Sequence, residues 1–241
     1  MIISHKHKFI FFKSLKVAGS SIGHAFSQAC DKGDLITGGM TERIDELGFV
    51  EKNNLDYNTG HYRFHSHTYP ELLYKRTRSA WDDYYKISSV RNPWDLLVSY
   101  YWWGIREENK QIRNRKDFLI VENENSKITK EKFELFYLSP GKFDSIISGN
   151  SYETECTFDW ISRHVGNFLH PDIDYYIKFE SLNQDYAQVC DVLKIKKANL
   201  EKFKSNTRRF SIPIEEYYTD YMKDLVFNSF HDYIKKFKYS I

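Results

Sequence analysis

Residues 8–14 read Lys-Phe-Ile-Phe-Phe-Lys-Ser, and this short apolar run constrains the fold more than any other feature of the chain. A strand with one solvated face alternates apolar and polar positions, whereas an uninterrupted apolar run suits a strand buried on both sides. Small residues follow at once: Lys16 leads into Val17-Ala18-Gly19-Ser20-Ser21, and Ile22 to about Cys30 then reads as a helix. Strand, small-residue turn and helix in that order make one unit of a sheet flanked by helices.

The same alternation recurs. Tyr84–Val90 is β-branched and aromatic, as strands prefer. Arg91-Asn92-Pro93 ends it, and Pro93 suits the first turn of a helix running to about Glu107, with Trp94, Leu97, Val98 and Tyr101 at helical spacing. Tyr175–Phe179 reads as a strand and Leu182–Leu193 as a helix. Shorter elements are expected at Tyr62–Ser66 (strand), Tyr69–Lys75 and Phe133–Leu138 (helices), and Ile214–Phe237 reads as one amphipathic helix. Residues 31–60 are glycine-dotted loop, and 106–132 are a polar excursion. The expectation is an α/β fold with a central, mostly parallel sheet flanked by helices. With 241 residues, no internal repeat and no linker, residues 1–241 are expected to form a single domain.

Bulk properties narrow the function. The 35 Lys and Arg against 33 Asp and Glu leave a net charge of only +2, so a nucleic-acid partner is not expected and any anion site is local. Cys30, Cys156 and Cys190 are odd in number, far apart and without C-x-x-C spacing. That argues against a disulfide framework or zinc site and for a reducing compartment. No apolar run reaches membrane-spanning length, and the first motif starts within twenty residues of Met1. The expectation is a soluble, cytoplasmic protein.

A small-residue turn between a strand and a helix exposes backbone N–H groups, and the helix N-terminus adds partial positive charge, which together suit a phosphate or sulfate. Ala18, Gly19, Ser20 and Ser21 permit close approach, their two hydroxyls can donate, and Lys16 brings a full charge. In an ATP-binding Walker loop the lysine follows the glycines and a hydroxyl serves Mg²⁺; here the lysine comes first. An ordinary strand-to-helix turn with a surface lysine also fits the hexapeptide.

The Lys-first order resembles the 5′-phosphosulfate loop, K-[TS]-x-G-[TS]-[TS] in the carbohydrate branch, of sulfotransferases that use 3′-phosphoadenosine 5′-phosphosulfate (PAPS). Ser89-Val90-Arg91-Asn92-Pro93 through Ser99-Tyr100-Tyr101 resembles the same family's 3′-phosphate motif, R-N-P followed by S-x-Y. A guanidinium grips phosphate with a charged fork. A serine eight residues on, in the following helix, can reach the same anion. Taken alone, Arg91 capping a carbonyl and Ser99 on a helix surface would describe this segment; two motifs in the family's order favour the cofactor reading.

The likeness continues in patches. Tyr176-Ile177-Lys178-Phe179-Glu180-Ser181-Leu182 with Asp185-Tyr186 resembles a family strand and is taken as scaffold, Glu180 and Ser181 also fitting a helix cap. The ending resembles that of small carbohydrate-type members, but Lys238 stands where glycine is usual, which puts the terminal turn in doubt. Arg208 and Arg209 match a basic loop that many members close over the cofactor, and equally fit solvated surface charge.

The resemblance implies in-line sulfuryl transfer to a hydroxyl acceptor, with a glycan or glycolipid expected, no metal required and 3′,5′-adenosine bisphosphate as product. Lys16 is the expected stabiliser of the leaving nucleotide. A hydroxyl acceptor must also lose a proton, and histidine suits that near neutral pH. Among His61, His65 and His67, the register H-x-[TS]-x-x-E-[IL] prefers His67, with Thr68, Glu71 and Leu72; His65 is second, and a surface or capping histidine remains open. Glu71, Asp82 and Asp83 are carboxylate alternatives. A kinase-like ATP-dependent transferase and a non-catalytic glycan-binding module are the competing functions.

Overall fold

A computed structural model describes residues 1–37, 66–76, 78–100, 158–203 and 213–241. In chain order its elements are β1 (Ile2–Ser4), β2 (Phe9–Phe11), α1 (Gly19–Ser27), β3 (Leu35–Ile36), α2 (Pro70–Arg76), α3 (Arg78–Asp83) and β4 (Tyr85–Val90). Then come α4 (residues 93–100), α5 (Phe158–Gly166), β5 (Tyr175–Lys178), α6 (Leu182–Leu193), a 3₁₀ turn (Ile214–Tyr217), α7 (Asp220–Ser229) and α8 (His231–Phe237). Two compact units result, one of Met1–Arg91 with Asn167–Phe203, the other of Asn92–Gly166 with Lys204–Ile241.

The first unit holds a five-stranded sheet in the order β3-β1-β2-β4-β5. The pairs β2–β4 and β4–β5 are parallel, and β1 pairs antiparallel with both β2 and β3. The sheet is therefore mixed: parallel in its β2-β4-β5 part, antiparallel in the hairpin that the sequence reading did not separate from β2. Strand alternation explains the apolar run. Phe9 and Phe11 face one side, packing with Ile22, Ala25 and Phe26 of α1, Ile87, Ile177, and Tyr186, Val189 and Cys190 of α6. Ile10 and Phe12 face the other, with Ile3, Leu73 of α2, Trp81 of α3, Phe168 and Ile173.

The polar chemistry of the hairpin is satisfied locally. The buried Asp34 carboxylate accepts from Ser4 Oγ at 2.9 Å, from the His5 N–H at 2.7 Å and from the Asp31 N–H at 3.0 Å. At the far strand, Asp185 Oδ2 accepts from the Lys178 N–H at 2.8 Å, tying the end of β5 to α6, which begins and ends where the sequence places it.

In the second unit Asn92 organises the start of α4. Its Oδ1 accepts from the Trp94 N–H at 3.1 Å, a capping bond, and its Nδ2 donates to the Ser240 carbonyl at 2.6 Å. The expected single helix over Ile214–Phe237 is three elements. Tyr218 is extended, and the Thr219 hydroxyl accepts from the Met222 N–H, starting α7 afresh; Phe230, at φ −114° and ψ 20°, separates α7 from α8. Lys238 takes the left-handed conformation usual for glycine (φ 57°), the Tyr239 N–H closes on the Ile234 carbonyl at 3.1 Å, and Tyr239 stacks on Tyr233. The terminal turn forms without its glycine. Among the described residues no helix is long and apolar enough to cross a membrane.

Candidate functional site

The site is built where β2 and β4 end, side by side in parallel. Phe11 pairs with Ile87, and the Phe12 N–H donates to the Ile87 carbonyl at 2.8 Å, so both chains leave the sheet at the same edge. In open α/β sheets that edge is where ligands bind. From β2 the chain enters the Lys16–Ser21 turn; from β4 it delivers Arg91.

The turn is tight and its backbone unusual. Lys16 (φ 60°) and Ala18 (φ 59°) both occupy the left-handed region, which residues with a side chain rarely adopt. Such conformations concentrate at ligand sites, where surrounding structure holds them. The helix begins earlier than the sequence suggests. Ala18 is its N-cap residue, the Ile22 N–H bonds the Ala18 carbonyl at 3.1 Å, and Gly19, Ser20 and Ser21 form the first turn. Ala18 has no capping side chain, so hydrogen bonds from a side chain at that position do not cover the helix N-terminus. A Cβ at Gly19 would stand 2.6 Å from Lys13 Cγ and 3.1 Å from the Ser14 carbonyl oxygen, so glycine lets α1 start directly against the end of β2.

Arg91 is 7% exposed. One guanidinium nitrogen donates to the Lys16 carbonyl at 2.9 Å, and the group lies 3.8 Å over the Phe179 ring at the end of β5. The carbonyl-capping role is thus real, and it joins the two motifs: Arg91 holds the residue that opens the turn. A guanidinium has five N–H donors, so gripping a carbonyl and an anion together is within its chemistry.

His67 is brought to the same edge. Its ring Nδ1 lies 2.8 Å from the Lys13 carbonyl. A carbonyl only accepts, so Nδ1 carries the hydrogen, which in a neutral imidazole assigns the lone pair to Nε2. The segment is held further by the Met1 amine, which donates to the Ser66 carbonyl at 2.9 Å and to Thr37 Oγ1 at 2.7 Å.

Two of the carboxylate alternatives lie away from this edge, and the third is engaged by other side chains. Asp82 and Asp83 are exposed and precede the start of β4, whose six residues put about 20 Å between them and Arg91. Glu71 is exposed and engaged by Lys75 at 3.0 Å and by His170 at 3.3 Å; its carboxyl is held below the usual range first by the bond from Lys75. Ser99 lies on α4 in the second unit and is 7% exposed, so it is not a helix-surface residue. Ser181 is the N-cap residue of α6 but makes no side-chain capping bond. His61, His65, Arg208 and Arg209 lie outside the described residues.

Two contributions to the site escape a motif reading: the packing of Phe179, which the sequence places only in a scaffold strand, and the position of Lys13. Phe179 supports Arg91 across the sheet, a contact no local pattern announces. Lys13 lies buried beneath the turn, and the period-two spacing Phe9, Phe11, Lys13 is the signal that could have placed it on the α1 face. No protein-family model matches this chain, and comparison with curated proteins and with solved structures gave no match.

Proposed function

We propose that the chain is a group transferase that holds an anionic cofactor at the Lys16–Ser21 turn. Within that class, the reading favoured is a sulfotransferase that uses PAPS and a hydroxyl acceptor of carbohydrate type. The observation that carries it is the bond from Arg91 to the Lys16 carbonyl, because it unites two sequence motifs of different cofactor ends at one sheet edge. The turn suits a sulfate or phosphate group: two left-handed residues, a glycine without room for a Cβ, two serines and a lysine lie in one short segment.

In this reading Lys16, Val17, Ala18, Gly19, Ser20 and Ser21 hold the 5′-phosphosulfate and Arg91 serves the 3′-phosphate. The cofactor, when bound, supplies the sulfuryl group. Lys16 offsets the negative charge that grows on the departing nucleotide. His67 Nε2 accepts the proton of the acceptor hydroxyl, while the Lys13 carbonyl retains the Nδ1 hydrogen and steadies the imidazolium that forms.

The test is transfer of radiolabelled sulfate from PAPS to a panel of glycans. Transfer that vanishes in Lys16→Ala supports the reading. Phosphoryl transfer from ATP with strict Mg²⁺ dependence, and none of sulfate, would replace it with the kinase-like alternative.

A further inference from the structure

We propose that Lys13 and Ser89 form the floor of the anion site, Lys13 bringing its charge and Ser89 its hydroxyl to the underside of the Lys16–Ser21 turn. The inference rests on the reading above only in requiring that this turn binds an anion.

The two residues are neighbours by register. Phe11 pairs with Ile87, and continuing that parallel register by two residues sets Lys13 beside Ser89. Alternation puts both on the face of Phe11, Ile87 and Ile177, the face that α1 covers. Lys13 is 6% exposed and Ser89 1%. The Lys13 stem passes directly under the first residue of α1, since its Cγ is the nearest atom to a Cβ built on Gly19. Its charge is felt at this edge of the sheet: the buried Met1 amine is held well below its usual pKa, by burial first and then by Lys13.

Ser89 supplies the independent observation. Its Oγ is fully buried and has no hydrogen-bond partner among the described residues. A fully buried hydroxyl without a partner is costly to hold. Phe9 and Phe11 show that apolar side chains fill the same face one and two steps earlier. An anion seated on the turn supplies the acceptor that the Ser89 hydroxyl lacks, with the Lys13 charge beside it.

Calorimetry with inorganic pyrophosphate and with 3′,5′-adenosine bisphosphate, on wild type, Lys13→Met and Ser89→Ala, tests this. Methionine keeps an unbranched stem under Gly19 and removes the charge. Lys13→Met should bind both ligands about tenfold more weakly, and Ser89→Ala about threefold, with the ligand-free melting temperature of Ser89→Ala equal to or above wild type. Unchanged affinity in either variant removes that residue from the site. If Lys13→Met fails to fold, Lys13→Arg, which retains the charge, must keep the wild-type affinity while Ser89→Ala loses it. Pyrophosphate binding that depends on Lys13, with no bisphosphate binding, upholds the floor and sinks the sulfotransferase reading. Bisphosphate binding indifferent to both variants does the reverse, and no binding of either ligand by wild type overturns both.

Discussion

The Arg91 guanidinium donates to the Lys16 carbonyl at 2.9 Å while stacked 3.8 Å over the Phe179 ring. One side chain thereby ties together the ends of β4 and β5 and the opening of the turn after β2. Lysine cannot reproduce a planar, forked and stacked contact. Arg91→Lys should cost roughly 1.5–3 kcal/mol of stability, the range for a hydrogen bond to a charged group, and should weaken nucleotide binding as well. Urea unfolding and calorimetry measure the two effects. Wild-type stability with unchanged affinity would show that the contact organises nothing.

His67 separates structure from chemistry by its two nitrogens. Asparagine can present an amide N–H where Nδ1 stands, keeping the bond to the Lys13 carbonyl, and has nothing at the position of Nε2. His67→Asn should therefore melt close to wild type, bind 3′,5′-adenosine bisphosphate normally and lose about 10²-fold or more in turnover. Retained turnover would remove His67 as the base.

Gly19 reports on the packing beneath the turn. In Gly19→Ala the new methyl meets Lys13 Cγ and the Ser14 carbonyl, the first in a buried stem and the second in backbone. Overpacking of this kind costs about 1–3 kcal/mol. The same shift should displace the Ser20 and Ser21 N–H groups and weaken anion binding. Alanine's better helix propensity would instead raise stability if the site has room, and a higher melting temperature with unchanged binding would contradict the packing described.

The core under α6 predicts a response to alkali. Burial raises the Tyr186 phenol well above its usual range, and burial likewise raises the Cys190 thiol. Both are acids favoured in their neutral form when folded, so the unfolded chain releases its protons first. Their contribution is complete below the unfolded thiol value, about 8.5. It declines as pH rises through that value and through the unfolded phenol value, about 10. The melting temperature should fall across this window, and Cys190→Ala should flatten its first part. A melting temperature constant from about pH 8.5 to 10 would show that these groups titrate alike in both states.

Features with a local cause were legible in the sequence. The run at Phe9–Phe12 announces a strand covered on both faces, and Leu182–Leu193 carries enough turns of helical periodicity to fix both ends. The order of Lys16 and Gly19, and the strand-end position of Arg91, gave the candidate site. Features made by distant partners were not legible. β1 is three residues long and exists because β2 and β3 pair with it. The six residues of α3 are too few to show a period. Gly19, Ser20 and Ser21 are weak helix formers, and they are helical because Ala18 turns left-handed and hands its carbonyl to Ile22 while Gly19 sits against Lys13. The break at Thr219 is a capping choice within a continuous amphipathic pattern.

In the function proposed, the turn opened by Lys16 and held by Arg91 binds the phosphorylated ends of an adenosine nucleotide. Calorimetric titration of the folded chain with 3′,5′-adenosine bisphosphate tests it most directly. Saturable binding at one site is expected, weakened about tenfold or more in both Lys16→Ala and Arg91→Lys. Absence of binding, or binding untouched by either substitution, would contradict it.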